Sequence, residues 1–493
     1  MNNITHSTLR RKLRSGLVPF AVLLAACGDN SDAGMPAIAP VASAPAQSAA
    51  FVGERIRLMI SGSLNGRLEP CGCASGQAGG LARRMQMVLQ SHVHDLFIEG
   101  GDLVLNSTRL DLEKAMTAAQ VLFTMPKAYD ALGVGPHDLL LPFGEWNEFL
   151  SVMRVPVVAS DLEGDARTWP AVPFLEREIR GTKVRIASFT MSLPNAITAT
   201  SPQPLQLLTP NAAWARALTG ATLATRCILL VHADPDTARK LAASLQPPPD
   251  LIIGIDSTNH EPPSTAEQAG KVPLVFPGIR GRYLLDVTIA RTADSSRVTS
   301  YDPMLLQGSE TKPDAGQDPA TRLIIRQHRE QVAQDNVLEQ MADTSKPQGA
   351  SFVGSAACAA CHQKDYEAWQ NSKHAHAWDT LIRGEQDQKR YGWPVTKYPD
   401  CVSCHTTGYG QPGGFITAEK TPLLINVGCE RCHGAGSEHT ASSGTVKLGK
   451  VGDGLPATTC TQCHDFEQSP KFDYTPLWRV IQHGAKAQLP KGK

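Results

Sequence analysis

A chain of 493 residues is too long for one hydrophobic core of ordinary size, so two or more domains are expected. Lysine plus arginine and aspartate plus glutamate each number 47, a balance that gives no footing for a nucleic-acid partner or a polybasic grip on lipid.

The first residues read as an address. Arg10, Arg11, Lys12 and Arg14 precede an apolar run from Leu17 to Ala26, about half the length a bilayer span needs, which predicts a signal peptide over 1–27. The run ends in Leu24-Ala25-Ala26-Cys27, which resembles a bacterial lipobox. That resemblance implies cleavage before Cys27 and lipidation of its thiol, hence export and a membrane contact through the anchor on the periplasmic or cell-surface face. Gly28 is not the Asp associated with inner-membrane retention, so the outer membrane is expected. Residues 28–50 are rich in Ala, Pro, Ser and Gly with no apolar period, and read as a flexible tether.

From 51 to 306 the chain alternates strand-like and helix-like pieces: Ile56 to Ile60, Leu81 to Gln90, Leu96 to Glu99, Val155 to Ala159, Cys227 to Val231, Leu251 to Gly254 and Tyr283 to Ile289. The alternation predicts a layered α/β domain. Residues 307–350 read as a linker with one helix, opened by Asp318 as N-cap and Pro319 at the first helical position and running to about Met341. Beyond 351 the composition changes. The last segment, 351–493, holds 8 of the 12 cysteines and 8 of the 15 histidines but few aliphatic residues. Something other than side chains must fill its interior.

Four repeats name the filler. Cys358-Ala359-Ala360-Cys361-His362, Cys401-Val402-Ser403-Cys404-His405, Cys429-Glu430-Arg431-Cys432-His433 and Cys460-Thr461-Gln462-Cys463-His464 all read C-x-x-C-H. Cysteines at i and i+3 lie on one side of a helical turn and can bond both vinyl groups of a porphyrin, while the following histidine points at the iron. One chance match is expected in about a hundred such chains, so four predict four haem c groups. Structural zinc on paired C-x-x-C sites would leave the four histidines unexplained. No methionine occurs in 351–493, which removes Met/His ligation. His374, His376, His439 and His483 remain as distal ligands opposite His362, His405, His433 and His464, so mostly bis-His, low-potential haems are expected. His374 and His376 either serve two haems or only one of them ligates.

Two segments, Trp369-Gln370-Asn371-Ser372-Lys373-His374-Ala375-His376-Ala377 and Val427 through His439, are similar to signature segments of the cytochrome c-554 family. The resemblance covers about Phe352 to Gly484. It implies a mainly α, loop-rich tetrahaem domain with closely packed haem pairs, electron transfer with redox partner proteins, and room for one five-coordinate iron.

In the N-terminal half, Leu58 to Pro70, Gly100-Gly101-Asp102, Gly135-Pro136-His137-Asp138 and Leu230-Val231-His232 resemble the calcineurin-like metallophosphatases, and most of all the 5'-nucleotidase catalytic domain. The resemblance implies a four-layer α/β sandwich over 51–306 with a two-metal site on loops at strand ends. The ligand set is incomplete. The first Asp-x-His of that family falls on Ser63-Leu64-Asn65, its Asn ligand on Pro136, and its last Gly-His-x-His on Gly254-Ile255-Asp256-Ser257. Asp102, His137 and His232 match, with His260 a distant candidate, and together would hold at most one divalent ion weakly. Cys71 and Cys73 form a C-x-C pair that is poorly placed for an internal disulfide and suits a soft metal or a redox thiol, or else simply a Gly-rich structural loop. Cys227 sits in an apolar run as a buried hydrophobe. The reading is an electron-transfer protein whose phosphatase-like domain is non-catalytic and serves docking or substrate binding. The alternatives are a haem redox enzyme acting on a small nitrogen or sulfur species, and a metal-dependent hydrolase.

Overall fold

The computed structural model describes residues 52–483 except 71–76, 125–128, 153–155, 166–168, 257, 259–260, 310–311, 313, 388–391, 449–454 and 466–467. The signal peptide, Cys27, the tether, Cys71, Cys73, Ser257 and His260 lie outside the described residues.

The strand Val52–Ser61 places Ile56, Leu58 and Ile60 on one face by its two-residue period, and all three are buried. It pairs in parallel with Leu96–Glu99, which pairs with Ala131–Gly133, and that with Val157–Val158. On its other edge the hairpin Tyr283–Arg291 and Ser296–Leu305 adds two antiparallel strands, completing a six-stranded sheet. A second six-stranded sheet runs in the order Glu267–Ala269, Val272–Val275, Leu251–Gly254, Arg226–Val231, Thr182–Phe189, Leu175–Ile179.

The two sheets face each other across one aliphatic core. Ile56, Leu58, Ile60, Leu96, Ile98 and Val287 from the first meet Val184, Ile186, Ile228, Leu230 and Ile253 from the second. Each such side chain contributes about 1.5–3 kcal/mol by leaving water. The outer face of the second sheet, with Phe189, Leu229, Val231 and Ile252, is covered by helices Pro210–Ala217 and Pro235–Ser244. Both begin on a side-chain cap, Thr209 or Asp234, followed by proline. Helices Leu81–Gln90, Arg109–Thr124 and Phe143–Val152 are the crossovers between parallel strands of the first sheet and lie on its outer side. The N-terminal half is therefore the four-layer α/β sandwich expected from the sequence.

Asp318 caps helix Pro319–Gln334, accepting the Thr321 N–H at 2.7 Å. The helix stops short of Met341 because Asn336 adopts a left-handed backbone (φ 53°), after which a second helix runs Val337–Met341. Its buried positions Thr321, Ile325, His328 and Val332 recur at three- and four-residue spacing. His328 is shared between the halves: Nδ1 donates to Thr117 Oγ1 at 3.0 Å, and Nε2 accepts from the Tyr398 hydroxyl at 3.1 Å.

The C-terminal half is mainly helical. One apolar cluster joins Trp378, Leu381, Trp393, Val395, Val402 and Phe415 of that half to Leu110, Val332, Val337 and Leu338, so the core runs on from one half to the other. From Ala50 onward the chain is one compact unit. Helices Gln363–Gln370, Ala457–Thr461 and Tyr474–Ile481 bury no residue at all. The last of these leaves Leu477 and Val480 at 43% and 68% exposure. Among the described residues no helix is long and apolar enough to cross a membrane.

Candidate functional sites

Each C-x-x-C-H repeat sits on one helical turn. The turns belong to Ser355–Ala359, Pro399–His405, Cys429–His433 and Ala457–Thr461, and the His362 and His464 N–H groups donate to the carbonyls of Cys358 and Cys460 at 2.9 Å. The eight cysteines of the repeats form no disulfide with one another, and none is fully buried. The first and third turns are neighbours, with the Cys358 and Cys429 thiols close enough to perturb one another, and so are the second and fourth, through Cys404 and Cys463. Glu430 ties the third turn down from within, its buried carboxylate accepting the N–H groups of Val353, Gly354 and Gly436.

The histidine rings fall into pairs. His362 faces His439 with ring centres 6.0 Å apart, His374 faces His464 at 6.1 Å, and His433 faces His483 at 5.8 Å. In each pair one ring belongs to a repeat and the other does not. Two metal–imidazole bonds of about 2 Å, plus about 1 Å from each nitrogen to its ring centre, require roughly 6 Å between rings that share one iron. The uncovered apolar side chains of Tyr474–Ile481 add a surface for a porphyrin to cover. The residues therefore fit haem.

The ring nitrogens are sorted to match. Nδ1 of His405 donates to the Ala377 carbonyl at 2.6 Å, that of His439 to Val446 at 2.7 Å, and that of His483 to Ile481 at 2.9 Å. His464 Nδ1 bonds Ser469 Oγ at 2.8 Å, and His376 Nδ1 bonds Asp379 Oδ2 at 3.2 Å. A tied Nδ1 fixes the ring and leaves Nε2 for a metal. Burial pushes His374, His405 and His464 below the usual histidine range, favouring the neutral, ligating form. No ring contact between His405 and another histidine is found among the described residues. His376, the other half of the ambiguous pair, is exposed.

In the sandwich, Asp102, His137 and His232 come together at strand ends. Asp102 Oδ2 is 3.1 Å from His137 Nδ1 and 3.5 Å from His232 Nδ1, and His232 Nε2 donates to the Gly100 carbonyl at 2.8 Å. The Gly100-Gly101-Asp102 turn needs its glycine: Gly101 has φ 97°, and Asp102 itself is left-handed at φ 50°. Asp138, to which the motif alone gives no separate role, accepts the N–H groups of Asp102 and Leu103 at 2.7 Å and Gly135 at 3.0 Å. Burial opposes charge on Asp102, but His232 and His137 outweigh it and hold that carboxyl far below its ordinary value. Burial, and then the Asp102 charge, push Asp138 up to about 7.

Ser63 and Asn65 lie beside this cluster, both buried, and Ser63 Oγ and Asn65 Oδ1 make no hydrogen bond among the described residues. Among the described residues no group of three or more His, Cys, Asp or Glu side chains is arranged to hold a metal ion. The two histidines turn to the Asp102 carboxylate instead. Cys227 is buried in the outer core of the second sheet, and burial raises its thiol to about 12.

These features define a c-type cytochrome segment joined to a four-layer α/β sandwich. Residues 357–434 match the family described as cytochrome c554 and c-prime. Cytochrome c-554 of Nitrosomonas europaea is 33% identical over 154 residues, 26% of this chain and 66% of that protein. Among solved structures, the NAD nucleotidase of Haemophilus influenzae aligns with 62% of this chain and 64% of its own at 14% identity and a TM-score of 0.49. The 5'-nucleotidase precursor of Thermus thermophilus aligns with 62% and 63% at 17% identity and a TM-score of 0.45. The chain thus spans slightly less than two thirds of each of these relatives.

Proposed function

We propose that this protein transfers electrons between redox partner proteins through four haem c groups, attached at Cys358/Cys361, Cys401/Cys404, Cys429/Cys432 and Cys460/Cys463. The reading is carried by the three facing histidine pairs. On it His439, His374 and His483 are the distal ligands opposite His362, His464 and His433, and His405 holds its iron from one side. The contacts Cys358–Cys429 and Cys404–Cys463 support two close pairs, first with third and second with fourth. Bound there, haem c supplies one-electron oxidation and reduction. The protein fixes the rings through their Nδ1 bonds and sets a bis-His field that favours low potential.

The sandwich is read as non-catalytic, a docking or substrate-binding body, because Ser63, Asn65 and Pro136 replace groups that a two-metal hydrolase needs. Export and a lipid anchor at Cys27 on the periplasmic or cell-surface face complete the proposal. A second reading, reduction of a small nitrogen or sulfur species at the His405 iron, is favoured because no described histidine ring faces His405. Mass spectrometry of the purified protein should show four covalent haems and a chain beginning at a lipidated Cys27. Fewer haems, or bound zinc in their place, would overturn the haem reading.

A further inference from the structure

The two spacer residues of the third repeat reach in different directions. Arg431 turns to the fourth repeat, where Nη1 donates to Gln462 Oε1 at 3.2 Å and Nη2 lies 3.8 Å from Cys463 Sγ. Glu430 turns to the first. Its side chain is buried, the residue being 4% exposed, and both carboxylate oxygens are taken. Oε1 accepts the Val353 N–H at 3.0 Å and the Gly436 N–H at 2.8 Å, while Oε2 accepts the Gly354 N–H at 2.8 Å. These donors are backbone N–H groups, which offset the burial of the carboxylate without cancelling its charge.

The donors belong to different pieces of two sites. Gly354 is the N-cap of Ser355–Ala359, the helix that carries Cys358 of the first repeat. Gly436 is the N-cap of Ser437–Ala441, which carries His439, the ring that faces His362. Glu430 itself stands between Cys429 and Cys432 of the third repeat. The surrounding approach is close. The Cys429 N–H donates to Ser355 Oγ at 3.1 Å, and a Cβ on Gly428 would stand 2.5 Å from that same oxygen, so the third turn meets the first only with glycine there. The Ser351 N–H donates to Ser437 Oγ at 2.8 Å, closing the ring of contacts. A glutamine at 430 would offer one acceptor oxygen, and its NH2 would confront an N–H on the other side. The arrangement calls for a carboxylate.

We propose that Glu430 is a positioning residue for the first and third haem sites: it holds their attachment turns and the His439 helix in fixed register, and its charge lowers the reduction potential at both. The inference rests on the haem reading above. Oxidised haem carries one more positive charge than reduced haem, so a negative charge held nearby and out of water favours the oxidised form. Removing that charge is a difference made at otherwise unchanged surroundings, so its sign does not depend on the sum of the other charged groups near the two sites.

The test is a potentiometric titration, with electron paramagnetic resonance, of the full-length haem-loaded protein against E430Q and E430D. E430Q should shift two of the four oxidised–reduced equilibria roughly tenfold toward the reduced form, about 59 mV upward for one electron. The two should be the haems that His439→Ala and His483→Ala convert to high spin, with the other two unmoved. E430D keeps the charge but is one methylene too short to meet the three donors together. Its midpoints should stay near the native ones, while the low-spin signal of the His362–His439 site, which reports the angle between the two imidazole planes, should move. That split separates charge from position, and E430D keeps the test alive if E430Q does not fold. With four haems bound, unmoved midpoints in E430Q, an unmoved low-spin signal in E430D, or midpoints that rise as far in E430D as in E430Q overturn this proposal. An unaltered protein with fewer than four haems overturns the haem reading instead.

Discussion

His374 faces His464 with ring centres 6.1 Å apart, although one lies on the short turn Lys373–His376 and the other closes the last C-x-x-C-H repeat. The His374 carbonyl accepts the Val427 N–H at 3.1 Å, anchoring that turn to the chain just ahead of the third repeat. Three segments distant in sequence thus fix one ring pair. His374→Ala should convert one haem from low to high spin in the oxidised optical and electron paramagnetic resonance spectra. His439→Ala and His483→Ala should each do the same to a different haem. His376→Ala should leave all the low-spin signals in place, and loss of one there would reassign the distal ligands.

The His405 site should differ from the other three before any substitution. Its Nδ1 donates to Ala377, and no histidine ring faces it among the described residues. One haem in four should therefore be high-spin in the native protein and bind cyanide, with the others unmoved. Four low-spin signals and no cyanide complex would show that a sixth ligand is supplied there.

How much of this is legible in the sequence follows from how local each signal is. The strand-like pieces Leu96 to Glu99 and Leu251 to Gly254 match observed strands end to end, because two-sided burial makes each a continuous apolar run. The helix opened by Asp318-Pro319 is equally plain, whereas its interruption at Asn336 depends on one backbone torsion that composition does not reveal. In the C-terminal half the eight candidate ligands can be counted, but their pairing cannot. His362 with His439 and His433 with His483 are set by tertiary packing rather than by spacing.

Just ahead of the Gly100-Gly101-Asp102 turn, Arg84 Nη1 and Glu99 Oε2 form a fully buried ion pair at 2.6 Å, with Ser61 donating to the same carboxylate. Removing one partner strands the other charge without water. Arg84→Met should destabilise the fold by about 3–5 kcal/mol, measured as a lowered denaturant midpoint at unchanged slope. The same substitution combined with Glu99→Leu should recover much of the loss, and a single variant as stable as the native protein would contradict the pair's structural role.

Lys114 Nζ sits 2.6 Å from Asp400 Oδ2, an acid immediately before Cys401, and so links the sandwich to the second repeat. Burial works against charge on Asp400, but the Lys114 ammonium outweighs it and holds the carboxyl below its ordinary value. A depressed folded value means that the link is fully present above the unfolded carboxyl pKa of about 3.9 and is lost as pH falls through the lower folded value. Between pH 5 and 8, Asp400→Asn should therefore lower stability by an amount that does not vary with pH through this group. Below about pH 4 the native protein should lose stability faster than the variant. Denaturation curves of both across that range, converging at the acid end, are the expected result. Parallel curves down to pH 2 would show that the lysine does not shift the acid.

The cluster of Asp102, His137 and His232 carries the most direct prediction about activity. On the proposed reading, neutral Ser63 and Asn65 stand where a two-metal site needs charged or imidazole ligands, and Pro136 offers no side-chain donor. Both histidine Nδ1 atoms face the Asp102 carboxylate, so an added ion would have to break that arrangement to find ligands. No phosphate release from a nucleoside 5'-monophosphate above background is expected with added manganese, zinc or calcium. The double variant Asp102→Ala/His137→Ala should keep the native rate of electron transfer, measured by stopped-flow reoxidation of the reduced haems, provided that circular dichroism shows it folded. Metal-dependent phosphate release that this double change abolishes would make the sandwich a working hydrolase, and the haem segment its companion rather than the seat of function.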